Sequence, residues 1–323
     1  MTDAPAPPGL DLAQREPAPA KINLYLHVVG RAESGHHILD SLVAFTEFGD
    51  ALAAGPARGD APEALTLDVD GPFGAALTRE AGEDNLVLRA ARALRREAGI
   101  ERGAHLRLIK RLPIASGIGG GSADAAAALR ALARLWGVDL PRDRFDEIAV
   151  SLGADVPACF ASRPARMAGI GERLTPMQLP EVGVLLANPG APLSTARVFA
   201  AFAAAHEQGG RPYRRALPMI PAFADARVFA DWLDQATDND LTEAAARLAP
   251  EVAATLIALS ELPEALLVRM SGSGATCFAL FADAEAAARG ARRLAALQPK
   301  WWIAATTLIP CLDTPLPGEV EPD

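Results

Sequence analysis

The stretch PIASGIGGGSADAAAALRAL, residues 113–132, decides how this chain is read. It places four glycines, Gly117, Gly119, Gly120 and Gly121, after a strand-like alternation at His105 to Lys110. An Ala/Leu-rich segment, Ser122 to Trp136, follows and reads as a helix stopped by Gly137. Glycine lets backbone approach a ligand closely, and a helix start presents unpaired N–H groups and the positive dipole end. That combination suits phosphate. Two familiar phosphate loops fail here on single residues. The P-loop needs a Lys after its last glycine, where Ser122, Ala123 and Asp124 stand. The dinucleotide fingerprint GxGxxG, counted from Gly117, meets Ser122 in its third glycine slot.

Upstream, PAKINLYLHVVG opens the ordered chain at residue 19. Ile22, Leu24, Leu26 and Val28 alternate with Lys21, Asn23, Tyr25 and His27, the pattern of a half-buried strand. Lys21 and Asn23 therefore project from one face. Further strands are expected at 65–69 and 105–110, and helices at 85–98 and 141–152. Gly153 stops the last of these, and Asp155 follows two residues before Pro157, in a loop where a side chain can be aimed. The second half reads as strand 182–187, helices near 226–235 and 241–249, strand 265–270, an SGSG turn, strand 275–281, helix 284–297 and strand 301–308. GGRPYRR (209–215) is its most loop-like piece. This is an α+β arrangement. The expected division is a flexible tail over 1–18, a first domain over 19–165 and a second over 166–323.

The chain has 323 residues, 31 Lys+Arg against 40 Asp+Glu, and a formal net charge of −9. An acidic chain without a Lys/Arg-dense block is poorly suited to nucleic acid or anionic membranes. Its Ala-rich runs are broken by Arg, Asp and Glu, so none reads as a membrane span. Three scattered cysteines, Cys159, Cys277 and Cys311, give neither a disulfide framework nor CxxC metal spacing. The Pro/Ala-rich start lacks the basic and apolar regions of a secretory signal. A cytoplasmic protein, monomer or homodimer, is expected.

The glycine stretch, PxxxGxGxGS before an Ala-rich helix, resembles the phosphate loop of the GHMP kinase superfamily. With PAKINLYL (19–26), GHHILDSL (35–42), GADVPACF (153–160) and MSGSGATCF (270–278), the set resembles the branch of that superfamily that acts on CDP-methylerythritol. The resemblance runs from about residue 19 to about 308. It implies a ribosomal-protein-S5-like N-terminal domain, a ferredoxin-like C-terminal domain, and transfer of the γ-phosphoryl of ATP to the substrate's 2-hydroxyl in non-mevalonate isoprenoid synthesis. Another superfamily kinase, of homoserine or mevalonate type, is the alternative.

The resemblance also assigns residues. Asp155 matches the general base and Lys21 its partner. Pro113, Ile114, Ala115, Ser116, Gly117, Ile118, Gly119, Gly120, Gly121, Ser122 and Ala123 match the ATP-binding loop, with Asn85 and Lys110 near the adenine. Ser122 is also the natural hydroxyl for the Mg²⁺ that accompanies ATP. Asn23, His36, His37, Thr195 and Phe199 match the substrate side, His37 toward the cytosine. Two departures stand out. His36 replaces a common Tyr, and the loop begins Ala115-Ser116 where glycine is frequent.

Overall fold

The computed structural model describes residues 15–58, 61–81, 84–210, 212–310 and 317–318. The alternating first segment forms β1 (Glu16–Arg31), paired antiparallel with β2 (His37–Pro56). Strand β1 begins earlier than expected, so the tail does not reach residue 18. Glu16, Pro17 and Ala18 pair with Leu52, Ala51 and Asp50. Ala18 is buried, and the Glu16 carboxylate is held by Arg130. Composition could not reveal this, because every partner lies far away in sequence. Residues 1–14 of that expected tail lie outside the described residues.

Next come β3 (Leu65–Asp70), α1 (Gly74–Ala81), α2 (Leu86–Glu97), β4 (Ala104–Ile109), α3 (Gly120–Trp136), α4 (Arg142–Leu152), α5 (Val156–Ala161), β5 (Ala165–Gly169) and β6 (Arg173–Pro176). The first sheet runs β3-β4-β2-β5-β6, with β1 also paired to β2. Only β3 and β4 run parallel. Helix α3 packs against β1, β2 and α2, and Ala125 to Ala128 are fully buried. Alanine on several faces lets this helix lie close to both sheet and neighbouring helix. The boundary expected at 165 cuts into this sheet. Leu39 to Val43 pair with residues 165–169, and β6 adds to β5, so the first unit extends through Pro176.

The second unit contains β7 (Gly183–Asn188), α6 (Thr195–Glu207), α7 (Ala226–Ala236), α8 (Thr242–Leu248), α9 (Pro250–Ser260), β8 (Leu267–Met270), β9 (Cys277–Phe281), α10 (Ala284–Leu297) and β10 (Trp302–Thr307). Its antiparallel sheet runs β10-β7-β9-β8. Numbered within the unit, that order is 4-1-3-2, the ferredoxin-like arrangement. Helices α6 and α9 lie beyond the expected spans. Only Val198 of α6 is buried, so its sequence carries little amphipathic signal.

The units share a core. Ile22 and Leu24 of β1 and Leu42 of β2 pack with Val184, Leu186, Phe278 and Leu280 of the second sheet. Arg269 donates to the Leu24 carbonyl (3.0 Å), and Leu26 bridges to Asn239. Among the described residues no helix is long and apolar enough to cross a membrane.

Candidate active site

The charged centre starts on β1. Lys21 and Asn23 share a face, and the Lys21 ammonium donates to Asn23 Oδ1 (3.2 Å) and to Asp155 Oδ1 (2.8 Å). Lys21 is 3% exposed and Asp155 39%, so the pair has one buried member and one that faces the cleft. Asp155 occupies the N-cap position of α5, yet its side chain makes no capping hydrogen bond. The carboxylate is left for Lys21 and for whatever enters the cleft. Asn23 is itself oriented by Ser41, whose hydroxyl accepts from Nδ2 (2.8 Å).

The glycine stretch lies against this pair. The Lys21 amide donates to the Ile118 carbonyl (3.0 Å), and a Cβ on Gly119 would stand 3.2 Å from Lys21 Cβ. Gly117 and Gly119 have φ of 77° and 65°. Helix α3 begins at Gly120 with Gly119 as N-cap, earlier than the expected start at Ser122. Ser122 is therefore inside the first turn and is not the cap. The first amides of α3 have no intrahelical acceptor and are available to an anion. Ala115 adopts φ 49°, which explains why glycine suits this place: an alanine here carries the strain of left-handed backbone.

The SGSG turn braces the loop from the second unit. Ser271 Oγ accepts from the Asn23 amide (3.2 Å) and donates to the Gly117 carbonyl (3.1 Å). The Thr276 amide donates to the Ser116 carbonyl (3.1 Å).

A cleft of about 860 Å³ unites these groups. It is lined by Lys21, Asn23, Asn85, Lys110, Pro113 to Gly117, Gly119 to Ser122, Asp155, His36, His37, Thr195 and Phe199. Two expected loop residues are not in its lining. Ile118 and Ala123 turn their side chains into the core, where they pack among apolar neighbours. Asn85 caps α2 through Oδ1 and the Val87 amide (2.9 Å), and also lines the cleft.

Lys110 is the expected residue whose setting differs most from expectation. Its ammonium lies between Asp50 and Asp124, at 2.6 Å from each, and the residue is 2% exposed. Two carboxylates outweigh the cost of its burial and hold its pKa above the ordinary lysine value. Burial pushes Asp124 up to about 8 against the pull of Lys110. Asp124 lines the cleft, and its Oδ1 is buried without a hydrogen-bond partner. Asp50 and Asp124 escaped the sequence reading. The one available signal for Asp124 was an acid two residues after Ser122, in an otherwise apolar helix start.

On the other side, Thr195 starts α6 and its hydroxyl lies 2.8 Å from that of Ser273. Phe199, one turn on, stacks with His37 (centroids 5.1 Å apart, 26° between planes), and Phe202 meets His37 edge-on. Burial and the nearby Arg31, in that order, lower the His37 pKa, so the ring is neutral. Its Nε2 is buried without a partner. His36 is exposed and lies 3.1 Å from Ser34 Oγ through Nδ1.

A glycine loop leading into a helix, with a Lys–Asp pair beside it and a ferredoxin-like second unit, is the construction of a GHMP-type small-molecule kinase. Residues 85–163 match the family description "GHMP kinases N terminal domain", and 219–300 match "GHMP kinases C terminal". A 4-diphosphocytidyl-2-C-methyl-D-erythritol kinase of Parvibaculum lavamentivorans is 52% identical over 289 residues, 89% of this chain and 96% of its own. The enzyme of the same name from Paramagnetospirillum magneticum is 46% identical over 293 residues, covering 90% of this chain and 97% of its own. A crystal structure of 4-(cytidine 5'-diphospho)-2C-methyl-D-erythritol kinase superposes with TM-score 0.71 at 33% identity, over 91% of this chain and 99% of that one. A homoserine kinase structure from Cytophaga hutchinsonii shares the fold at TM-score 0.64 and 17% identity. The chain belongs to the 4-diphosphocytidyl-2-C-methyl-D-erythritol kinase family.

Proposed function

We propose that this enzyme transfers the γ-phosphoryl of ATP to the 2-hydroxyl of 4-CDP-2-C-methyl-D-erythritol, giving the 2-phosphate and ADP. The observation that carries the reading is the Lys21–Asp155 pair at 2.8 Å beside the glycine loop, in one cleft with His37 and Phe199. Asp155 accepts the hydroxyl proton as the oxygen attacks the γ-phosphorus. The bond from that phosphorus to the β,γ-bridging oxygen breaks, and ADP leaves. Lys21 holds the Asp155 carboxylate in place and offers positive charge to the reacting oxygen. The amides at the start of α3 hold the phosphates, and positioning supplies most of the catalysis.

The residues at the loop fit an Mg²⁺ that arrives with ATP. Ser122 and Asp124 line the cleft, and no cluster of three or more His, Cys, Asp or Glu side chains stands ready among the described residues to hold an ion alone. Such an ion takes most of its ligands from phosphate and water and, when bound, offsets charge on the transferring group. Ser122 is the side chain proposed to reach it.

On the acceptor side, the His37 ring lines the cleft where the cytosine would bind, with Phe199, Thr195 and Asn23 shaping the remainder of the site. Released to solvent, both substrates and both products are small and charged, which agrees with action in the cytoplasm. The test is ADP formation from ATP and Mg²⁺ with 4-CDP-2-C-methyl-D-erythritol, homoserine or mevalonate as acceptor. Turnover is expected with the first alone. Turnover with homoserine or mevalonate instead would overturn the assignment.

A further inference from the structure

Asp50 lies on β2, outside every motif of the sequence, and its side chain is fully buried. A buried carboxylate is costly unless several partners repay its desolvation. Here three groups do so. Asp50 Oδ2 accepts from the Lys110 ammonium at 2.6 Å. Oδ1 accepts from the amides of Arg111 (2.5 Å) and Leu112 (2.8 Å).

Those partners have a common location. Arg111 and Leu112 are the two residues that lead into Pro113, where the glycine loop begins. Lys110 reaches across to Asp124, at the start of the second turn of α3, just beyond the end of the loop. A Cβ on Gly120 would lie 3.1 Å from Lys110 Nζ, so the ammonium sits directly under the helix start. One carboxylate thus fixes the entry of the loop directly and its exit through one lysine.

We propose that Asp50 is a positioning residue for nucleotide binding: through Lys110, Arg111 and Leu112 it clamps both ends of the phosphate loop before ATP arrives. This rests on the reading of that loop as the ATP site. A loop already shaped forfeits little ordering entropy on binding, so loosening its ends weakens the nucleotide rather than the acceptor. The Lys110 ammonium in this arrangement lies below the loop, held between Asp50 and Asp124.

The test compares Asp50→Ala and Asp50→Asn with the wild-type enzyme. Calorimetric titration with ADP establishes first that the wild-type protein binds nucleotide; failure there sinks the nucleotide reading and leaves the clamp without a purpose. Given binding, Asp50→Ala should weaken ADP and raise the KM for ATP by roughly ten- to a hundredfold, the worth of a charge-assisted hydrogen bond. The KM for the CDP-linked acceptor should move less than about threefold, within the range that leaves its own contacts intact. Asp50→Asn retains one acceptor oxygen and should recover part of the ADP affinity. Nucleotide affinity equal to wild type in folded Asp50→Ala, or equal loss for both substrates, overturns the proposal. Hydrogen exchange on the wild-type protein provides a measurement that no folding failure removes. The Arg111 and Leu112 amides should be protected without nucleotide; exchange at open-loop rates until ADP is added also overturns it.

Discussion

Asp155 stands at a helix N-cap, where aspartate ordinarily spends its oxygens on the first amides of the turn. In this protein the carboxylate faces Lys21 instead, at 2.8 Å, and the N-cap amides find no side-chain acceptor. Asp155→Asn should therefore lower kcat by about two to four orders of magnitude while changing substrate affinity little, because the amide still hydrogen-bonds but takes no proton. Near-normal turnover would leave Lys21 acting by positioning alone. His37 presents the complementary case. Its pKa is lowered by burial, its ring stacks on Phe199, and its Nε2 has no partner among the described residues. His37→Ala should raise the KM for the CDP-linked acceptor several-fold, the worth of about 1 kcal/mol, with the KM for ATP nearly unchanged. Steady-state kinetics with each substrate varied in turn checks both. Lys21, Asp155, His37 and the glycines were legible because each sits in a short run of neighbours. Asp50 was not, because its partners lie some 60 residues on, at Lys110 to Leu112, and only folding brings them together.

At the level of elements, nucleotide binding is expected to rest on the junction of glycine loop and α3. Gly119 is the left-handed N-cap of α3, and Lys21 is the first neighbour that a Cβ there would meet. Gly119→Val would force a β-branched side chain into left-handed backbone, at a cost of roughly 1–2 kcal/mol or more, and press it on Lys21. Nucleotide affinity should fall at least tenfold, read by calorimetry on protein whose circular dichroism matches wild type. Unchanged affinity would place the phosphates elsewhere. The strands with strict alternation, and the helices ended by glycine at Gly99, Gly137 and Gly153, were readable as elements from the sequence. Helix α6 was not, since it lies half-exposed, with Ala at several positions and one fully buried residue. Strand β1 was read from residue 19 onward only. The pairing that extends it to Glu16 depends on Arg130 of α3, more than a hundred residues away.

Across the whole molecule, stability depends on histidines buried without charge. His27 is 1% exposed between the units, with Nε2 accepting from the Asp238 amide (3.2 Å), and burial lowers its pKa from 6.5. His37 and His105 are shifted the same way by the same cause. The unfolded chain thus binds protons that the folded one refuses, and the contribution is complete above about pH 6.5 and declines as pH falls through the folded values. The raised pKa of Asp124 acts in the opposite direction over this range, so the histidine contribution is read by comparison. Between about pH 7 and pH 5 the melting temperature of His27→Gln should fall less, or rise more, than that of the wild-type protein, and parallel profiles would contradict it. The interlock of the SGSG turn with the glycine loop has a further consequence. A Cβ at Gly117 would lie 2.5 Å from the Gly274 carbonyl oxygen, and one at Gly272 would lie 2.9 Å from that of Gly117. Each half of the enzyme is thus the mould in which the other's turn is cast. Chimeras that join the first half of this chain to the second half of a distant homologue should fail at that seam, however well each half folds, unless both turns are inherited together.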